Sequence, residues 1–387
     1  MTTANQAKLK IAYVSMSNPL DKKAWSGTHF NMYSALNKHI GQVDIIEPYI
    51  PKLPVLFGKI LTALSQKINK RYNYRHSKWL SKSFGKYYTK KLKSKKYDLI
   101  FAPAASCEIA YLKTNIPIIY ISDSTIKSSL NYHKALSNLW KFSENESLTI
   151  EKRALEKSSI VAMTSPWAMR SVIEDFNIDK QKTIVLPFGA NFEETPDDSF
   201  AKNRKLNKTC KLLFVGVNWE NKGGTIAHTI LTELLKRGID AELSICGCTP
   251  PEKFLHEKIK VFSFLNKNIK SEREQLYKLF EEATFFIFPT RFEAYGIVCC
   301  EASAYGLISL AANTGGVSGV VREGENGFLF DKNNQGSAYV EKIIELLNDE
   351  KKYKELSLSS RSTFEKYLNW DAWAIALKNK LAEKYTF

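Results

Sequence analysis

Apolar and polar positions fall into two periods along the chain, which divide it into short strands separated by longer helices. Runs at 9–16, 43–49, 97–102, 116–122, 160–164 and 183–187 are short and apolar. Those at 97–102 and 116–122 lack period-two alternation, as parallel strands covered on both faces do. Helical spacing follows at 29–38, at 151–158 and from Ser165-Pro166-Trp167 onward. The rhythm restarts with strands at 211–217, 241–246, 260–264, 285–288 and 307–312, and with helices at 271–282, 296–305, 337–347, 351–367 and 370–384. Between the two sets lies a polar stretch, 194–208, which contains Pro196, Asp197, Asp198 and Ser199 and reads as a linker. The pattern predicts an α/β protein with two domains, each built on a doubly wound parallel sheet.

Composition agrees with that picture and adds a partner. At 387 residues, with 44% apolar and 12% aromatic content, the chain can bury two cores. Its 56 Lys and Arg against 40 Asp and Glu give a net charge of +16, which calls for an anionic partner. Much of the excess lies at 52–96, where fourteen Lys or Arg occur with no Asp or Glu. Phe57, Ile60, Leu61, Leu64 and Ile68 share one helical face there, and Leu80, Phe84, Tyr87, Tyr88 and Leu92 share another. The segment predicts two basic amphipathic helices whose apolar stripes are partly core. An anionic membrane is the expected partner, because Trp79, Phe84, Tyr87 and Tyr88 suit an interface. Nucleic acid is the lesser alternative, since no nucleic-acid motif accompanies the charge.

Six cysteines without C-x-x-C spacing make no disulfide framework or thiol redox pair, and are expected as reduced core residues. The start, 1–10, is polar, and no run of about 18 apolar residues occurs. The expected location is cytoplasmic, peripheral on the inner face of the plasma membrane.

Candidate chemistry concentrates at 285–330. A buried-strand signal at 285–288 breaks at Pro289 and Thr290, Glu293 follows in a loop, and a helix begins near Gly296. Glu301 stands on that helix among Val298, Cys299, Cys300, Ala302 and Ala304. An ionised carboxylate in such surroundings costs several kcal/mol unless hydroxyls, amides or a cation meet it, so Glu301 points to a ligand or a basic partner. Glu293 precedes the helix, and both carboxylates can line one crevice into which the free N–H groups near Tyr295 and Gly296 also point. A polyhydroxylated, anionic ligand suits this set. Asn313-Thr314-Gly315-Gly316 and Glu323-Gly324-Glu325-Asn326-Gly327-Phe328 then supply two further glycine turns.

Taken in order, Phe288-Pro289-Thr290, the Glu293 and Glu301 pair, Ala294-Tyr295-Gly296, Thr314-Gly315-Gly316 and the run from Glu325 to Phe328 resemble the retaining glycosyltransferases of family 4. The resemblance implies the GT-B fold, two Rossmann-like domains facing an interdomain cleft. The domains would be 1–193 for the acceptor and 209–368 for the nucleotide sugar, joined by 194–208, with 369–387 crossing back to the first. It implies a nucleoside-diphosphate sugar as donor substrate, no cofactor, and retention of anomeric configuration. Glu301 would hold the ribose and Glu293 would lie near the transferred sugar, with the Ala294-Tyr295-Gly296-Ile297 backbone on sugar hydroxyls or phosphate.

Other positions follow the same resemblance. In the loop after the first domain's opening strand, Gly27 and Thr28 would approach the donor, although the family usually carries two glycines there. Gly216 ends the first strand of the second domain, and Lys222 matches the lysine that meets the diphosphate. Val217 occupies the position of the accompanying arginine, with Arg291 a candidate to replace it. Phe264 and Leu265 lie where the family contacts the base, and their sequence leaves uracil, guanine and adenine open. Asp123 ends a first-domain strand, where it could touch the acceptor or cap a helix. His133 is expected as a polar helix residue. No Asp-x-Asp pair appears, so transfer is expected without a metal.

The expected activity is hexosyl transfer to a saccharide or lipid-linked saccharide in cell-surface glycan synthesis, including polysaccharide or lipopolysaccharide. The alternatives are a silent GT-B protein tethered to a membrane or glycan, and an enzyme of the same fold that glycosylates nucleic acid.

Overall fold

The computed structural model describes residues 9–385, so the first eight residues of the polar start lie outside it. The chain divides into two compact units, one of Met1–Leu186 with Trp373–Phe387, the other Pro187–Ala372. The expected linker, 194–208, falls inside the second unit. It carries a short helix, Ser199–Lys202, and the buried Arg204, whose guanidinium donates to the carbonyls of Tyr305, Ala283 and Phe280.

The first unit holds a six-stranded parallel sheet. Its strands are β1 (Leu9–Tyr13), β2 (Gly41–Ile45), β3 (Leu99–Pro103), β4 (Ile118–Ser122), β5 (Ile160–Met163) and β6 (Thr183–Val185), in the order β2-β1-β3-β4-β5-β6. β3 and β4 are buried along their whole length, as their unbroken apolar runs require. The core on one face joins Val14, Ile100, Tyr120 and Val161 to Phe84, Tyr88, Ile150 and Leu155.

The helix expected at 151–158 is longer, Lys141–Lys157. Its early turns bury Ser143 and Ser147 in place of large apolar residues, and that kind of contact leaves no hydrophobic period in the sequence. Ser143 Oγ instead accepts from the Asn73 N–H at 2.8 Å.

The second unit repeats the plan with β7 (Cys210–Val215), β8 (Ala241–Cys246), β9 (Ile259–Phe262), β10 (Phe285–Phe288), β11 (Ile308–Asn313) and β12 (Gly327–Asp331). All pairs are parallel, and the order β9-β8-β7-β10-β11-β12 is that of a Rossmann sheet. The order reverses between β7 and β10. The chain leaves these two neighbours in opposite directions, which opens a crevice at their carboxyl ends. All six cysteines are free, and all but Cys248 are buried.

The two basic helices are Lys52–Lys67 and Lys78–Leu92, and their apolar stripes have opposite fates. Leu80, Phe84, Tyr88 and Leu92 are core. Phe57, Ile60, Leu64 and Ile68 are exposed, each at about half of its surface or more. Leu61, the remaining member of the first stripe, is half-buried, so the expectation that both stripes are partly core holds for the second helix and, in the first, at Leu61 alone.

Candidate active site

The site in the second unit is built where β7 and β10 diverge. After β7 the chain passes Gly216 and the exposed Val217 into a short helix, Trp219–Lys222, started by Asn218, whose Oδ1 accepts from the Asn221 N–H at 2.8 Å. After β10, the Arg291 N–H donates to the Asn221 carbonyl at 2.8 Å. The Thr290 hydroxyl lies 3.2 Å from that carbonyl and 2.8 Å from the Phe292 carbonyl. Gly223 makes the approach possible. Its φ is +75°, and a Cβ there would stand 2.0 Å from the Pro289 carbonyl oxygen.

These contacts bring Lys222 to Glu293. A side chain at Gly216 would stand 2.6 Å from Lys222 Cγ, so the glycine leaves room for the lysine stem. Lys222 Nζ lies 2.5 Å from Glu293 Oε2 and 5.4 Å from the centroid of the Phe288 ring. Both charged side chains are largely enclosed, at 23% and 16% exposure. The Glu293 carbonyl accepts from the Gly316 N–H at 3.1 Å, which ties the Thr314-Gly315-Gly316 turn to the same place.

Glu301 belongs to the helix Ile297–Ala304, entered through Gly296 at φ +98°. Ala294 and Ile297 are half-buried beside it. The Tyr295 side chain turns inward. Its hydroxyl donates to the Phe188 carbonyl at 2.8 Å, and burial holds the phenol well above its ordinary pKa. The Tyr295 side chain is thus taken up by the interior of the unit.

Glu301 itself is buried, and its carboxylate pairs with Lys267. The requirement for a partner was legible in the apolar neighbours of Glu301. The partner's place was not, because Lys267 lies 34 positions earlier, in the loop after β9. In that loop Phe264 is 64% exposed and Leu265 is buried.

Arg291 does not replace the missing cation at Val217. Its guanidinium turns away, donating to the Lys332 carbonyl and to Gln335 Oε1 at 2.5 and 3.2 Å. The physical reason is local: the Arg291 backbone is fixed on Asn221, and its exposed side chain finds acceptors in the loop after β12.

In the first unit Gly27 and Thr28 stand at the start of the helix Thr28–His39, both buried. Trp25 and Ser26 precede them with φ of 48° and 55°. His29, which sequence reasoning passed over, is buried with Nδ1 2.8 Å from the Tyr13 hydroxyl, and burial lowers its pKa to about 4. Asp123 follows β4 and accepts from the Ser124 hydroxyl at 3.3 Å. The cap of the helix beside it, Ile126–Ser129, is Thr125, whose side chain accepts from the Ser128 N–H, so Asp123 is not the cap of that helix. His133 is an exposed cap of a short helical turn, accepting from the Ala135 N–H at 3.1 Å. The predicted residues therefore form two pairs in the second unit, Lys222 with Glu293 and Glu301 with Lys267, while Gly27, Thr28 and Asp123 lie in the first.

Among the described residues, no group of three or more His, Cys, Asp or Glu is placed to hold a metal ion. No helix among them is long and apolar enough to cross a membrane.

Two six-stranded parallel sheets, each in its own α/β unit and the second reversing at a polar crevice, define a two-domain protein of the GT-B class. Sucrose-phosphate synthase from Thermosynechococcus elongatus has the same fold, with a TM-score of 0.66 over 97% of this chain and 99% of that one at 18% identity. Residues 196–363, within the second unit, match the model of the family Glycosyl transferases group 1, which agrees with the resemblance to family 4.

The D-inositol 3-phosphate glycosyltransferase of Corynebacterium diphtheriae is 21% identical over 266 residues, 64% of this chain and 60% of that protein. The capsular polysaccharide biosynthesis glycosyltransferase CapM of Staphylococcus aureus is 26% identical over 230 residues, 56% of this chain and 59% of that protein. The chain thus matches less than two thirds of the length of these curated relatives.

Proposed function

We propose that the protein is a glycosyltransferase that moves a hexosyl group from a nucleoside-diphosphate sugar to a saccharide or lipid-linked saccharide acceptor in cell-surface glycan synthesis. The observation that carries the reading is the Lys222–Glu293 pair at the reversal between β7 and β10, within the segment that matches the family. A cation beside a carboxylate at that point suits a donor whose diphosphate is anionic and whose sugar presents hydroxyls.

In this reading Lys222 leaves Glu293 for the diphosphate and stabilises the charge that grows on it as the glycosidic bond breaks. Glu293, released, accepts from hydroxyls of the transferred sugar. Glu301 accepts from the ribose hydroxyls, the backbone at Ala294, Tyr295, Gly296 and Ile297 meets sugar or phosphate oxygens, and Phe264 and Leu265 flank the base. The first unit takes the acceptor, with Asp123 near its hydroxyl and Gly27 and Thr28 beside the donor. Configuration at the anomeric carbon is retained, and no divalent cation is needed. A lipid-linked acceptor brings the protein to the anionic inner face of the plasma membrane.

Incubation with a panel of nucleotide sugars, with and without chelator, tests the reading. It predicts slow release of one nucleoside diphosphate, faster with an acceptor saccharide and insensitive to chelator, and a product with the donor's anomeric configuration by NMR. Turnover of no donor, or an inverted product, would contradict it.

A further inference from the structure

Lys52–Lys67 is a helix packed with its small side: Pro54, Gly58 and Ser65 are buried, Gly58 lying against Tyr74. Its large residues face outward. Leu53, Leu56, Phe57, Ile60 and Leu64 are 69%, 58%, 48%, 49% and 50% exposed, at the i, i+3, i+4, i+7, i+11 spacing of one continuous face. Trp79 extends the face, with its ring 5.5 Å from that of Phe57 and 48% of its surface exposed. Single exposed leucines are ordinary on a protein surface, whereas a whole helical stripe of them marks a surface that something covers.

The charge around the stripe selects the cover. Lys52, Lys59 and Lys67 on the same helix are exposed, and 52–96 supplies no acid to neutralise them. An apolar stripe bordered by cations and free of anions is complementary to acyl chains beneath anionic headgroups. A second copy of this surface would instead set lysine against lysine. The position also fits: the segment after the helix is held to the carboxyl-end loop of β3 by His76 Nε2, 3.1 Å from Ser106 Oγ. Asp123 lies at the carboxyl end of the neighbouring strand β4.

We propose that the outward face of helix Lys52–Lys67, with Trp79, docks on an anionic lipid bilayer. The helix lies in the interface plane with the stripe roughly 5–10 Å below the headgroups and the lysines at headgroup level. Lys78–Leu92, whose stripe is core, contributes Trp79 from its first turn and cations from the rest of its length. The use of this docking, to meet a lipid-linked acceptor, rests on the proposed function; the docking itself does not need sugar transfer.

Vesicle flotation of the full chain is the test, comparing phosphatidylglycerol-containing with pure phosphatidylcholine vesicles and wild type with the Leu56→Gln, Phe57→Gln, Ile60→Gln triple variant. These side chains are exposed, so circular dichroism and nucleotide binding should be unchanged in the variant. Wild type is expected to float with the anionic vesicles only, and the variant to lose roughly tenfold or more of that binding. Brominated lipid should quench wild-type fluorescence more than that of Trp79→Phe.

No flotation of wild type, equal flotation of the variant, or binding to nucleic-acid duplexes in place of vesicles would overturn the proposal. So would a wild-type dimer by light scattering that the triple variant turns into a monomer. Donor turnover measured on the same samples separates failure of docking from failure of the enzymatic reading.

Discussion

Lys222 and Glu293 are 71 positions apart in the chain and 2.5 Å apart in the structure, each just beyond one of the two strands between which the second sheet reverses. Lys222 and Glu293 neutralise one another, so under the proposed function a diphosphate has to compete with Glu293 for the lysine. Lys222→Ala should weaken nucleoside diphosphate binding by roughly ten- to hundredfold, the ~1.5–3 kcal/mol of a charge-assisted hydrogen bond. Glu293→Gln should bind the diphosphate at least as tightly as wild type and turn over more slowly. Titration calorimetry and a turnover assay on both variants check the two halves.

The second pair has a different consequence, because Glu301 is 3% exposed and Lys267 is 32% exposed. Lys267→Ala strands a buried carboxylate. We expect a loss of about 2–3 kcal/mol in denaturant unfolding, less than for a pair buried on both sides. Adding Glu301→Gln should recover most of it, since the neutral amide no longer needs the cation. Equal stability of wild type and Lys267→Ala would show that the ion pair does not hold Glu301.

Gly223 and Gly238 separate backbone strain from close approach. Both have positive φ, +75° and +77°, but a Cβ at Gly238 meets nothing within 4 Å while one at Gly223 meets the Pro289 carbonyl at 2.0 Å. Gly238→Ala should cost about 1 kcal/mol, the left-handed penalty alone. Gly223→Ala should cost about 3 kcal/mol or more. It should also weaken diphosphate binding, because it pushes apart the loops that carry Lys222 and Glu293. Thermal unfolding and calorimetry of the two variants provide the comparison.

Buried acids in the first unit set a pH dependence. Burial raises Glu108 to about 7 and Glu151 to about 8, the latter while its Oε2 accepts from the Ile126 N–H at 2.6 Å. A carboxyl whose folded pKa lies above its unfolded value stabilises the fold fully below the unfolded pKa, and the contribution disappears as pH rises through the folded one. The carboxyl contribution should therefore fall between about pH 4.5 and 8, and since His29 and His76 act in the opposite direction below about 6.5, the net decline should be clearest between about pH 6.5 and 8. Glu151→Gln should flatten the decline, gaining on wild type more at pH 8 than at pH 5. On the acid side His29 and His76, both lowered to about 4 by burial, stabilise fully above their unfolded pKa and lose that contribution as pH falls from about 6.5 toward 4. Urea unfolding across pH measures both arms.

Much of this was legible in the residue pattern, for physical reasons that also explain the rest. Strands such as Phe285–Phe288 and Ile118–Ser122 are covered on both faces and announce themselves as unbroken apolar runs. The Lys141–Lys157 helix packs through serines and loses its early turns to periodicity. Periodicity also found the stripe of Lys52–Lys67, but a moment has no sign for inside and outside. Only the structure shows that Pro54, Gly58 and Ser65 face the core. At the site, Glu301's need for a partner followed from its neighbours, whereas the identity of that partner, Lys267, depends on which loops the sheet order brings together.

The most direct test of the account is calorimetric binding of UDP, GDP, ADP and CDP, with and without chelator, to wild type, Lys222→Ala and Glu301→Ala. The account predicts that one nucleoside diphosphate binds wild type selectively whether or not chelator is present. Lys222→Ala should lose the preference for the diphosphate over the bare nucleoside, and Glu301→Ala should lose both ligands. Binding of no nucleotide, or the same affinities in all three proteins, would contradict it.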